Sequence, residues 1–214
     1  MALRRSQGIN SELRLDKLRA YGRDAWKHVG KHRGMRLSRI VVAGVRHFLQ
    51  NHEDICTTPS GRKSVAQQKA ACKARLEELI ASHRPQLIGE EEKPGVGSVG
   101  KELADAHGLK YCPLSLPVEA REKAGVAKDY YIRRETRRAA YEIFESFMFD
   151  RIQQNRKDST SILVICGSYH MERLAERFRA VGDEALTEDT YDAPWYKGVP
   201  IEGIVRFDKA RPDV

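Results

Sequence analysis

The sequence predicts an α/β fold with a mainly parallel central sheet flanked by helices, carried behind a basic N-terminal helical arm. Three observations predict it. Short apolar, β-branched runs alternate with stretches of helical periodicity, the pattern of βαβ units. Ser161–Cys166 (SILVIC) is apolar without interruption, as a strand covered on both faces should be. Charge is also divided: residues 1–39 hold eleven Lys and Arg against three acids, the whole net charge of +8, while residues 40–214 hold 27 of each sign.

Taken in order, Leu37–Gly44 (LSRIVVAG) reads as the first strand and Arg62–His83 as a long helix with Val65, Cys72, Leu76, Leu79 and Ile80 near helical spacing. Gln86–Gly89 is a second short strand. Val99–His107 reads as a helix stopped by Gly108, since glycine accepts the left-handed conformation at a helix end. Leu109–Leu114 is a third strand, and Pro113, Pro117 and Gly125 mark a loop after it. Asp129–Gln154 is expected to be the longest helix, with an apolar stripe through Ala140, Phe144, Met148 and Ile152. Ser161–Cys166 follows, then a helix over Ser168–Val181 closed by Gly182. Asp183–Val214 is less regular, with Val199–Phe207 as a candidate added strand. The expected division is an arm over 1–36, an α/β core over 37–182 and a C-terminal extension over 183–214.

Several function classes are excluded or disfavoured. No apolar run approaches the ~18 residues of a membrane span, and the first residues lack the apolar stretch of a secretory signal. Cys56, Cys72, Cys112 and Cys166 are scattered and lack a CxxC pairing, which fits reduced thiols in a cytoplasmic protein. Gly95-Val-Gly-Ser-Val-Gly100 matches a dinucleotide fingerprint by letter, but the following strand ends KYCPLS without the acid that should hold the ribose. Glu90, Glu91 and Glu92 approach the same loop and would repel a pyrophosphate. His47, His52 and Cys56 do not have zinc-site spacing. The arm is suited to nucleic acid or another polyanion, because clustered Lys and Arg bind such partners by releasing counterions.

One constellation survives. Ile40-Val-Val-Ala-Gly44-Val-Arg-His47 and Leu163-Val-Ile-Cys-Gly167-Ser-Tyr-His170 share a layout: a buried strand, a glycine, then histidine three residues on. The glycine is expected to turn the chain sharply out of the sheet. Leu87-Ile-Gly89-Glu90-Glu91 repeats the layout with carboxylates. In a parallel sheet these strand ends converge on one edge, where open α/β sheets bind ligands. His47, Glu90 or Glu91, and His170 suit a divalent metal (Mn, Zn or Co) and equally suit metal-free general acid–base catalysis.

GVRH, IGEE, Arg133-Arg134-Glu135 and CGSYH occur in an order that resembles the superfamily of TraB/TIKI proteins, erythromycin esterases and ChaN. The resemblance spans about residues 37–182 and is closest to small bacterial members. It implies paired GxxH motifs at Gly44/His47 and Gly167/His170, an intervening acid at Glu90 or Glu91, and an arginine at Arg134. Known members include metal-dependent proteases, macrolide esterases and a haem-binding lipoprotein, so the fold transfers better than the chemistry. This chain has little length for the esterases' substrate-enclosing helices, and the arm falls outside the resemblance.

The expected activity is hydrolysis of an ester or amide bond in a small-molecule or peptide substrate. His47 is the base or a metal ligand, and Glu90 or Glu91 orients it or completes a metal shell. His170 is the second ligand or the acid for the leaving group, and Arg134 stabilises an oxyanion. The alternatives are a non-catalytic binder of metal, haem or an anionic ligand, and a nucleic-acid-interacting protein acting through the arm. Both histidines are expected at solvent-lined positions, where truncation costs little stability.

Overall fold

A computed structural model describes residues 37–45, 59–92, 98–126, 130 and 134–189, without the side chains of 59–66, 68, 134 and 135. Strands β1 (Arg39–Val45), β2 (Leu87–Glu90), β3 (Lys110–Pro113), β4 (Ser161–Gly167) and β5 (Glu184–Asp189) form one sheet. The helices are α1 (Pro59–His83), α2 (Val99–His107), α3 (Val118–Lys123), α4 (Arg134–Asn155) and α5 (Met171–Ala180). Strand order is β3-β2-β4-β1-β5, and every pairing is parallel.

Side chains alternate between the two faces of the sheet, as the period of two requires. Val41, Ala43, Ile88, Leu163 and Ile165 pack with Leu76 and Leu79 of α1 and Leu103 of α2. Ile40, Val42, Ile162, Val164 and Cys166 pack on the other face with Ile143 and Ile152 of α4 and Leu174 and Phe178 of α5. β4 lies between β2 and β1, so SILVIC is apolar because both its faces are covered. The helix following β2 covers one face and the helix following β4 covers the other. The connections therefore part between these strands, opening a crevice at their carboxyl ends.

Local chemistry sets the boundaries. Ser98 caps α2 by accepting the Lys101 N–H at 2.8 Å. Gly108 ends that helix at φ 65°, a left-handed conformation that costs glycine little. The glycines at the strand ends act otherwise than expected. Gly44 lies inside β1, opposite Cys166. Positive φ among the described glycines is confined to Gly108, Gly125 and Gly182. Gly44 and Gly89 are needed for close approach: a Cβ on Gly44 would lie 3.0 Å from Met171 Sδ, and one on Gly89 2.5 Å from Ile152 Cδ1.

Four other expectations are corrected. The longest described helix is α1 with 25 residues, against 22 for α4. The segment between Pro113 and Gly125 contains α3. The helix expected over Ser168–Val181 is Met171–Ala180, with a turn over Ser168–His170. The sheet also continues past residue 182: β5 pairs with β1 in register, Arg39 opposite Glu184. A buried ion pair secures this end, with Arg156 Nη1 2.6 Å from Asp183 Oδ2. Asp183 Oδ1 also accepts the Ser38 backbone N–H at 2.8 Å. Residues 1–36 and the candidate strand Val199–Phe207 lie outside the described residues. Cys72, Cys112 and Cys166 are buried and unbridged. Among the described residues, no helix is long and apolar enough to cross a membrane.

Candidate functional site

β2 and β4 are neighbours, so the residues leaving their carboxyl ends meet. Glu90 is the last residue of β2, and the Glu91 N–H continues the ladder to Ile165 O at 2.8 Å. The two carboxylates leave the strand on opposite sides, as adjacent strand residues must. Glu90 is fully buried against the start of α2. It accepts the Gly100 N–H at 3.1 Å and the Tyr111 O–H at 3.2 Å, and it also bonds Ser98 Oγ. Burial pushes its carboxyl above the usual range against the pull of these hydrogen bonds. A Cβ on Gly100 would lie 2.8 Å from Glu90 Oε2. The last glycine of the GVGSVG run thus makes room for a carboxylate from its own chain, at the helix start where a phosphate would otherwise sit.

Glu91 faces the other way. Its Oε2 accepts the Gly167 N–H at 3.1 Å, and its Oε1 lies 3.7 Å from His170 Nε2. The other ring nitrogen of His170, Nδ1, is 3.1 Å from Glu145 Oε1. An ionised carboxylate only accepts, so Nδ1 carries a proton in this contact. The opposite nitrogen, Nε2, is turned toward Glu91. Tyr141 packs edge-on to the imidazole at 4.6 Å between ring centroids.

His170 is 4% exposed and Glu145 is 1% exposed. Burial is the largest influence on the imidazole and favours its neutral form. The charges of Glu91 and Glu145, with the hydrogen bond to Glu145, outweigh it and hold the pKa above its ordinary value, against Arg173. The expectation of a solvent-lined His170 is therefore corrected. Truncation would leave a buried carboxylate without its hydrogen-bond donor.

A cavity of about 150 Å³ opens beside this pair, lined by Glu91, Glu92, Ser115, Arg121, Tyr141 and His170 among others. Of the residues singled out from sequence, the structure brings Glu91 and His170 together and places Glu90 elsewhere. His47 lies outside the described residues, as does the side chain of Arg134. Sequence reasoning missed Glu145 and Arg121. Glu145 left a signal: a carboxylate four residues after Tyr141 and three before Met148, at the border of the apolar stripe. Arg121 left none, because the six-residue helix carrying it is hidden between Pro117 and Gly125.

Among the described residues, no group of three or more His, Cys, Asp or Glu side chains is placed to hold a metal ion. His170 holds Nδ1 against Glu145 and turns Nε2 toward Glu91, and offering Nε2 to a metal ion would require its proton to leave. Comparison with protein-family models, curated proteins and solved structures gives no match to the chain.

Proposed function

We propose that the chain is a hydrolase of ester or amide bonds, related to the proteins with paired GxxH motifs, working by general acid–base catalysis at the β2/β4 edge. The observation that carries this reading is the Glu145–His170–Glu91 line, in which one buried carboxylate fixes the ring and a second faces its free nitrogen. A base oriented by a third group is the recurring logic of hydrolytic sites.

Glu91 takes a proton from water as the water oxygen bonds to the acyl carbon. His170 gives its Nε2 proton to the departing alkoxide or amine as that bond breaks. The proton on Glu91 then returns to His170, and both groups regain their starting states. Glu145 is a positioning residue, holding the ring and keeping Nδ1 protonated. The substrate is a small molecule or a peptide end, and reduced buried thiols fit a cytoplasmic setting. A separate proposal, carried by the charge of residues 1–39, is contact with nucleic acid.

The test is turnover of nitrophenyl esters, an anilide and a nitrophenyl phosphate by the full chain. Ester or anilide hydrolysis is expected, with H170Q and E91Q each lowering kcat by about 10²–10⁴. Because protonated His170 is required, the rate should fall at alkaline pH. E145Q should move that fall to lower pH. Equal rates in all three variants, or no turnover of any ester or anilide, would overturn the proposal.

A further inference from the structure

We infer that the cavity beside His170 binds a small, flat carboxylate and that Arg121 is the residue that selects it. This deepens the hydrolase reading by giving its ester or amide substrate a free carboxylate group, and it rests on that reading only for the claim that such a substrate is turned over. Arg121 projects from α3, where its Nε–H donates to Leu116 O at 2.8 Å. Its guanidinium lies 5.4 Å from the centre of the Phe144 ring. These two contacts fix the group while leaving its terminal nitrogens without a hydrogen bond among the described residues. No carboxylate among the described residues pairs with it.

The acids around the same cavity are engaged. Glu91 accepts from Gly167 and faces His170, and Glu92 shares the one Tyr111 O–H with Glu90, at 3.0 Å. A fixed guanidinium with free ends is suited to a carboxylate, whose two oxygens match its fork of donors. The walls set the remaining chemistry. Tyr130 stands edge-on to Phe144 at 5.3 Å, and Tyr141 stands edge-on to His170. At about 150 Å³ the cavity is smaller than the ~300–1,000 Å³ of sites for drug-sized ligands, so it takes one ring or a short unsaturated chain.

Titration calorimetry of the full chain with benzoate, benzamide and benzamidine tests the inference, because the three differ chiefly in charge. Benzoate is expected to bind at least about tenfold tighter than benzamide, the ~1.4 kcal/mol of a tenfold ratio. Benzamidine should bind no tighter than benzamide. R121Q should bring benzoate to the level of benzamide, while R121K, which keeps the charge but not the fork, should retain part of the preference. Benzamidine binding best, equal affinities, or no binding by any of the three would overturn the inference, and none of these outcomes depends on a variant folding. A benzoate preference without turnover would remove the hydrolase reading alone. Turnover without the preference would remove the role of Arg121 alone.

Discussion

Glu90 leaves β2 toward α2, where Ser98, Gly100 and Tyr111 take up its carboxylate. Glu91, one residue on, leaves toward α4 and α5 and meets Gly167 and His170. The first is fully buried among groups that seat a helix on the sheet. The second borders a cavity and an imidazole whose proton it favours. Two identical side chains thus enter different surroundings, and the side of the sheet each one enters decides which. On the proposed function, the carboxylate that seats a helix bears on stability, and the one that faces His170 bears on rate.

The largest expected effect follows directly. E91Q should lower turnover by about 10²–10⁴ while shifting stability by less than about 1 kcal/mol, because glutamine still accepts the Gly167 N–H. E90A should do the reverse: about 2 kcal/mol of stability lost, since the Gly100 N–H is left unpaired, with kcat per folded molecule unchanged. Urea melts paired with initial rates check both. Comparable rate losses in the two variants would erase the distinction.

Removing the His170 side chain joins the two effects in one residue. H170A should abolish turnover and also cost about 2 kcal/mol, because Glu145 then stays buried without its hydrogen-bond donor, keeping only Arg173 at 4.0 Å. An E145L/H170A double variant should recover part of that stability and none of the activity. If H170A melts like the parent, Glu145 is better solvated than its 1% exposure implies.

A smaller effect separates the regions by pH. Both Glu90 and His170 have folded-state pKa values raised above their ordinary values of 4.5 and 6.5. Each therefore contributes stability that is full below its ordinary value and is lost as pH rises through its folded value. The Glu90 loss begins near pH 4.5 and the His170 loss near pH 6.5. E90Q should flatten the lower part of the curve and H170Q the upper part, read as urea midpoints across pH. A single window removed by either variant would show that the two groups titrate as one.

The smallest effect lies outside both regions. The full chain should bind a duplex oligonucleotide weakly, with affinity falling steeply with salt through residues 1–39. Deletion of residues 1–36 should abolish the binding and leave the β2/β4 edge unaltered, whereas salt-sensitive binding by the shortened chain would place the contact elsewhere.

Much of the scaffold was legible because it depends on local pattern. SILVIC announced the covered strand, and Val99–Gly108 announced a helix with its left-handed stop. The convergence of IGEE and CGSYH followed from parallel strands alone. Choosing between Glu90 and Glu91 required knowing which helix lies on which face, information that no short segment carries. β5 was missed because it is an edge strand: of Glu184–Asp189 only Ala185 is buried, so its letters read as surface. Glu145 was missed for the opposite reason, since burial of a carboxylate is unexpected until its partner is known.

The position of β1 between β4 and β5 has a consequence for synthesis on the ribosome. Both partners of this apolar strand come late in the chain, and the Arg39–Glu184 contact joins residues 145 apart. At ~5–20 residues per second, β1 waits on the order of ten seconds with neither edge paired. An exposed run such as Ile40–Val45 is prone to pair with other chains during that time. Chains halted at residue 160 are expected to pellet, and chains extended through 189 to stay dispersed. Equal solubility of the two would show that β1 is sheltered before its partners arrive.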